Sequence, residues 1–223
     1  MFPLDQSNPQ TLFSEKTIDA TDRSGYFLCM QTESPRKTKR DELIEIASSL
    51  FYKQGYGATG IKQIIDTAGI AKGTFYSHFE SKEEVGLAWL RTRHTAWNAW
   101  LNAEQEKSKT PKGQILALFD FLEDWMMESE FRGCAFLNTL AELPNPDNPM
   151  RKEIVAHKSG LHEAIQGLAT QHFSAKSRTF GNQKGTAIFL LFEGALVETQ
   201  NFRNPWPIKA ARKEVMSLLS GES

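Results

Sequence analysis

From Arg40 onward the apolar residues recur three or four positions apart and no run alternates convincingly with period two, so helix is what this chain can bury coherently. Leu43, Ala47, Leu50 and Phe51 lay one apolar stripe along a helix from Arg40 to Gln54, with Gly55 as its C-cap. Thr59 is expected to N-cap a second, two-turn helix carrying Ile61, Ile64, Ile65 and Ala68, which Gly69 breaks. A third, from Ala71 to Phe79, sets Phe75 and Phe79 four apart on one side. Three short helices with a glycine-containing turn between the second and third spell a helix-turn-helix unit. Ser81 then caps a longer segment, running through Trp89, Trp97 and Trp100 to about Asn102, too long for the small unit and therefore a bridge between two domains. Further helical patterns cover 112–130, 134–143, 149–173, 183–203 and 207–220, punctuated by Pro111, Pro144, Pro146, Pro149, Gly181, Pro205 and Pro207. The expected fold class is all-α: a tail over 1–35, an N-terminal three-helix domain over 36–82 and a C-terminal helical domain over 83–223. Met30, just before the periodic region, is a candidate translation start.

With 223 residues, 40% of them apolar, the chain can form one mid-sized domain or two small ones with buried cores. Its two cysteines, Cys29 and Cys134, have no paired spacing, which argues against a disulfide framework or zinc ribbon and fits a reducing compartment. The start lacks a basic stretch followed by an apolar run, and the longest apolar stretch, 187–192, is six residues, so a cytoplasmic protein without a membrane span is expected. The net charge of -1 hides an asymmetry. Residues 36–82 hold eight basic and five acidic side chains, a local +3 that leaves -4 for the remainder. A basic module on an acidic body suits a protein that reads duplex nucleic acid with one half and does something else with the other.

The third helix sharpens that reading. If Phe75 and Phe79 face the core, then Lys72 and Tyr76 lie on another stripe, joined by Thr74 and Ser77, all able to meet base edges or phosphates. Ala71 and Gly73 are small enough to let the backbone sit deep in a major groove. Thr59 and the N–H groups opening the second helix suit a phosphate, as do His78 and Lys82. The stretch from Thr59 to Glu83, TGIKQIIDTAGIAKGTFYSHFESKE, resembles the DNA-binding module of the TetR family of bacterial transcription regulators. Its turn, recognition helix and start of the fourth helix follow the family string A-G-[IV]-x-x-G-[ST]-[FL]-Y-x-[HY]-F-x-[SN]-K-[ED], and every position is filled. The resemblance is close over roughly 38–84 and elsewhere rests on the number and order of helices. It implies base or phosphate contacts from Lys72, Gly73, Thr74, Tyr76 and His78, and phosphate contacts from Thr59 and Lys82.

For the remainder the resemblance implies an effector-binding and dimerisation domain. The aromatic and Met-rich middle helices have the composition of a plastic apolar cavity, with Trp100, Phe121, Trp125, Cys134 and Phe136 as candidate lining and Asn138 as a polar anchor. Plain core packing gives the same pattern. Cys134 follows a glycine and precedes apolar residues and Glu142, similar to a subset of the family that senses electrophiles or oxidants through a thiol. Residues 186–202 are apolar around most of a helix, so Phe189, Phe192 and Leu196 are candidates for burial against a second copy. The expected function is a ligand-responsive regulator, a repressor as is most frequent in this family, that binds a pseudo-palindromic operator as a homodimer. A helical scaffold that keeps the trihelical unit without reading DNA is the alternative. An enzyme is not expected: there is no H-E-x-x-H or G-x-S-x-G, His157 and His162 are spaced off one helix face, and no cofactor or metal is implied.

Overall fold

The computed structural model describes residues 37–221, so the tail expected over 1–35, with Cys29 and Met30, lies outside the described residues. Within them there is no strand, and the helices are α1 (Lys39–Gln54), α2 (Ile61–Ala68), α3 (Lys72–Tyr76), α4 (Lys82–Glu106), α5 (Pro111–Glu128), α6 (Ala135–Ala141), α7 (Pro149–His172), α8 (Arg178–Phe202) and α9 (Trp206–Ser220). No helix among the described residues is long and apolar enough to cross a membrane.

Helix starts follow local chemistry. Thr38 opens α1 with a capping box: its hydroxyl accepts from the Asp41 N–H, and the Asp41 carboxylate accepts from the Thr38 hydroxyl and N–H. Those bonds hold the Asp41 carboxyl below its usual range. Ser81 caps α4 through the Glu84 N–H, and Thr110 caps α5 through the Gly113 N–H. At α2 the expectation fails. Gly60, not Thr59, is the N-cap; the Thr59 hydroxyl turns inward to the Gly55 carbonyl at 2.8 Å, and the side chain is 0% exposed. The third helix is also shorter than expected, ending at Tyr76, with His78 and Phe79 carried by the turn that follows.

The head is a small bundle whose centre is Leu43, Ala47, Phe51, Ile64, Phe75 and Phe79, all buried. α4 closes it with Val85 and Trp89, the latter 5.2 Å from the Phe51 ring, and continues into the body, where Trp97 and Leu101 are buried with α5. One helix therefore belongs to both cores, and a single apolar cluster runs through the molecule. In the body α7 and α8 are the most intimate pair. Gly181, expected to break the chain before 183, lies inside α8, where an added Cβ would fall 2.7 Å from the Thr170 Cα; at Gly185 it would fall 2.6 Å from the Gln166 Cα. These glycines let two backbones touch, whereas at Gly194 the same construction meets open space.

Two residues expected at the face toward a second copy are corrected. Phe192 and Leu196 are each 2% exposed within one chain, Phe192 with its ring 5.6 Å from Phe119. Their neighbours on α8, Leu190 at 62% and Val197 at 45% exposed, point outward instead. Phe189 is half-buried against His162.

Candidate nucleic-acid interface and body cavity

α3 is oriented by its buried side. Phe75 and Phe79 sit in the core with ring centroids 6.0 Å apart, so Lys72, Gly73 and Tyr76 are exposed, and Thr74 and His78 are half-exposed beside them. Tyr76 stands edge-on to Phe75 with the Lys72 ammonium 5.8 Å from its ring, which fixes an aromatic ring and a cation side by side. The charge of the head is more local than its composition suggests. Lys37 pairs with Glu45, Lys39 with Glu42 and Lys62 with Asp66, all within the head, while Arg40 lies 3.9 Å from Glu84 and over the Phe79 ring. Lys72 has no ion pair among the described residues and is the cation that α3 presents. Lys82 is half-buried, donates to the Gly57 carbonyl at 3.3 Å and lies 4.3 Å from the Tyr56 ring; burial lowers its pKa. Thr59, named from the sequence for a phosphate, cannot offer its buried hydroxyl; the uncapped first turn of α2 after Gly60 leaves backbone N–H groups there instead.

The segment around α6 ties head to body. Arg132 donates its Nε to the Tyr52 carbonyl at 2.7 Å, and the Tyr52 hydroxyl donates to the Gly133 carbonyl at 3.2 Å. At the other end of α6 the Glu142 carboxylate accepts from the Gly57 N–H in the α1–α2 loop. Just before it, Glu130 and Phe131 both adopt left-handed backbone at φ 51° and 59°, followed by Gly133 at 78°. Two consecutive non-glycine residues in that region, one of them bulky, mark a strained turn.

α6 is also one wall of a cavity. Cys134, Ala135 and Phe136 line it with Trp97, Trp125, His157, Phe192 and Leu196, while Arg93, Lys158 and Leu161 complete the lining. The cavity volume is about 20 Å³, room for roughly one water. Of the candidate effector residues, Trp125, Cys134 and Phe136 belong to it. Trp100, Phe121 and Asn138 do not: Phe121 is core, and Asn138 bridges the Arg132 carbonyl and the Gln200 amide. Sequence reasoning missed Arg93, His157 and Lys158, polar residues on helix stripes that read as solvated. His157 is 3% exposed; its Nδ1 lies 3.0 Å from Nδ1 of His94, whose Nε2 lies 2.8 Å from the Asn98 amide nitrogen. Burial first, then the nearby Lys158, His94 and Arg93, push the His157 ring down to about 3. Among the described residues no group of three or more His, Cys, Asp or Glu could hold a metal ion.

A trihelical head with an outward α3, carried on a helical body through a shared α4, defines the class of helix-turn-helix DNA-binding proteins. The family model described as "Bacterial regulatory proteins, tetR family" matches residues 43–88, the span from α1 into α4. The chain is 29% identical over 138 residues, 61% of its length and 70% of the relative's, to an HTH-type transcriptional regulator in the lacX 3' region of Lactococcus lactis subsp. lactis. It is 23% identical over 190 residues, 81% of its length and 94% of the relative's, to the HTH-type transcriptional repressor NemR of Escherichia coli K12. A crystal structure of a TetR-family transcriptional regulator from Streptomyces coelicolor superposes with a TM-score of 0.74 at 27% identity, covering 82% of this chain and 94% of that one. The matched head is a TetR-family DNA-binding module, and the chain is a TetR-like helix-turn-helix, DNA-binding transcription regulator.

Proposed function

We propose that the chain is a homodimeric cytoplasmic repressor that leaves a pseudo-palindromic operator when a small molecule occupies the body cavity. The observation that carries the DNA half is the split of α3, with Phe75 locked inside and Lys72 and Tyr76 outside. Lys72, Gly73, Thr74 and Tyr76 then read the major groove, with His78 and Lys82 on flanking phosphates. Two such heads must reach successive major grooves about 34 Å apart, which a twofold dimer supplies. Its face is Leu190, Gly194 and Val197 on α8 with Met216 on α9, exposed apolar or small positions that replace Phe192 and Leu196 in this role.

The effector half rests on α6, which lines the cavity and bonds the head at both ends. With so little free volume, an organic ligand enters by displacing a wall, and displacing α6 strains its bonds to Tyr52 and Gly57. The ligand needs to favour the displaced arrangement by only ~1–3 kcal/mol to act as an inducer. Repression is the sense named for NemR. The test is capture of genomic fragments by the purified protein at several salt concentrations, followed by a mobility shift with Ala135→Phe, which fills the cavity from α6. Specific salt-dependent retention, weakened in the filled variant with its helix content intact, is expected. No specific retention at low salt would favour a scaffold; an unchanged operator affinity in Ala135→Phe would remove the cavity from the mechanism.

A further inference from the structure

α4 joins the head to the body by burial, but a helix of 25 residues bends gently, and a small tilt between Trp89 and Trp97 is carried to α3. Bonds beside α4 therefore decide how firmly the head is held. Two of them stop short of α8: Glu142 on the Gly57 N–H ends at α6, and Asn148 on Glu83 ends at the start of α7. The third continues. Tyr52 lies in the last turn of α1, where its carbonyl is beyond the reach of the helix's own N–H groups, and the Arg132 Nε donates to it at 2.7 Å, a cation at a helix C-terminus. The Arg132 carbonyl accepts from the Asn138 amide at 2.9 Å, and the Asn138 amide oxygen accepts from the amide of Gln200, in the last turn of α8, at 3.0 Å. Gln200 also lies against Gly133, where a Cβ would fall 2.1 Å from the Gln200 Oε1, and the Gly133 carbonyl returns to the head by accepting from the Tyr52 hydroxyl at 3.2 Å. Arg203, the C-cap of α8, holds its guanidinium 6.0 Å from the Phe131 ring. The left-handed backbone of Glu130, Phe131 and Arg203 is costly, and it persists because contacts from α8 on one side and α1 on the other over-determine it.

We propose, on the reading that α8 pairs two copies across Leu190 and Val197, that Asn138 and Gln200 are positioning residues for operator reading: they latch the turn at 130–133 to α8 and, through Arg132 and Tyr52, set the orientation of the head relative to the dimer helix. Val197 is three residues before Gln200 on one helix, so α8 carries to the latch what the dimer fixes on its outer side. Each head is then referred to the twofold axis by a route that does not pass through α4. The latch narrows the range of separations open to the two α3 helices, and a dimer whose heads already stand at the operator's spacing loses less freedom on binding than one whose heads swing. Neither amide touches DNA in this arrangement. Breaking the latch leaves Lys72 and Tyr76 exposed as before and changes where α3 is held.

The experiment uses the full chain, the operator fragment that it retains, and versions of that fragment with one base pair inserted at or removed from the centre, which moves the half-sites by about 3.4 Å and turns one against the other. The variants are Gln200→Met and Asn138→Leu, which keep the side-chain size and drop the amide; helix content and sedimentation are measured for each. The unchanged chain should bind the native spacing about tenfold or more tightly than either altered one. Both variants, folded and dimeric, should bind the native operator more weakly and narrow that ratio to about threefold or less, because unlatched heads reach all the spacings; a role in stability alone would weaken binding to every fragment together. A ratio that does not narrow in a folded, dimeric variant overturns the latch, and so does a spacing preference that is lost only together with the dimer. If one variant does not fold, the other decides. Equal binding of all the spacings by the unchanged chain overturns the proposal while leaving DNA reading intact, whereas no specific retention of any fragment removes the dimeric-operator reading and the latch with it.

Discussion

His157 and Gly133 show at the residue scale how the site is held. The His157 ring titrates at about 3 in the folded chain against an ordinary value of 6.5, so the unfolded chain binds this proton more tightly. Its contribution to stability is complete above pH 6.5 and is lost as pH falls toward 3, by at most about 1.4 kcal/mol per pH unit. Thermal unfolding between pH 7.5 and 4.5 should therefore show a steep acid limb that His157→Gln flattens; identical limbs would mean the ring charges freely in the fold. Gly133 has φ 78°, and a Cβ there would lie 2.1 Å from the Gln200 Oε1. Gly133→Ala should cost about 2 kcal/mol in denaturant unfolding, from backbone strain plus displacement of that amide, and a cost near zero would show the turn to be free to move. The sequence disclosed which α3 residues face out because Phe75 and Phe79 set the phase. It did not disclose Thr59, whose hydroxyl is spent on a carbonyl four residues back, nor His157, whose burial comes from α4 and α6 packing over a stripe that looks polar.

Among elements, α4 and α6 divide the work of joining the halves. α4 does so by burial, with Trp89 toward the head and Trp97 toward the body. α6 does so by hydrogen bonds, which are easier to break without unfolding either core. Glu142→Gln replaces a charged acceptor by a neutral one at the Gly57 N–H. The variant should fold and keep ligand binding while its operator affinity responds less to ligand; a full response, read in the same mobility shift, would leave the coupling to α4 and the bonds of Arg132 and Gly133 to Tyr52. Helix number and order were legible from periodicity and from proline and glycine punctuation. The start of α8 was not, since Gly181 serves a close crossing with α7 and not a break, a distinction that exists only once the partner helix is in place. The phase of α8 was equally hidden: a helix apolar on several sides does not announce that Phe192 turns inward and Leu190 outward.

For the whole molecule, the acidic body and the basic head resolve into a narrower picture, in which Lys37, Lys39 and Lys62 neutralise nearby acids and α3 carries Lys72 outward. In the proposed dimer, affinity for DNA depends on two heads acting together. Leu190→Glu places a charge on the exposed stripe of α8 and should convert the dimer to monomer in sedimentation while leaving the helix content unchanged, with operator binding weakened as a consequence. A variant that stays dimeric would move the contact off this stripe. The central claim is that the outer side of α3 reads the duplex, and operator titration across a salt series with Lys72→Ala and Tyr76→Ala tests it most directly. Lys72→Ala should reduce the slope of log affinity against log salt by about 1 per head, and Tyr76→Ala should weaken operator binding with the dimer intact. Unchanged slope and affinity in both variants would contradict it.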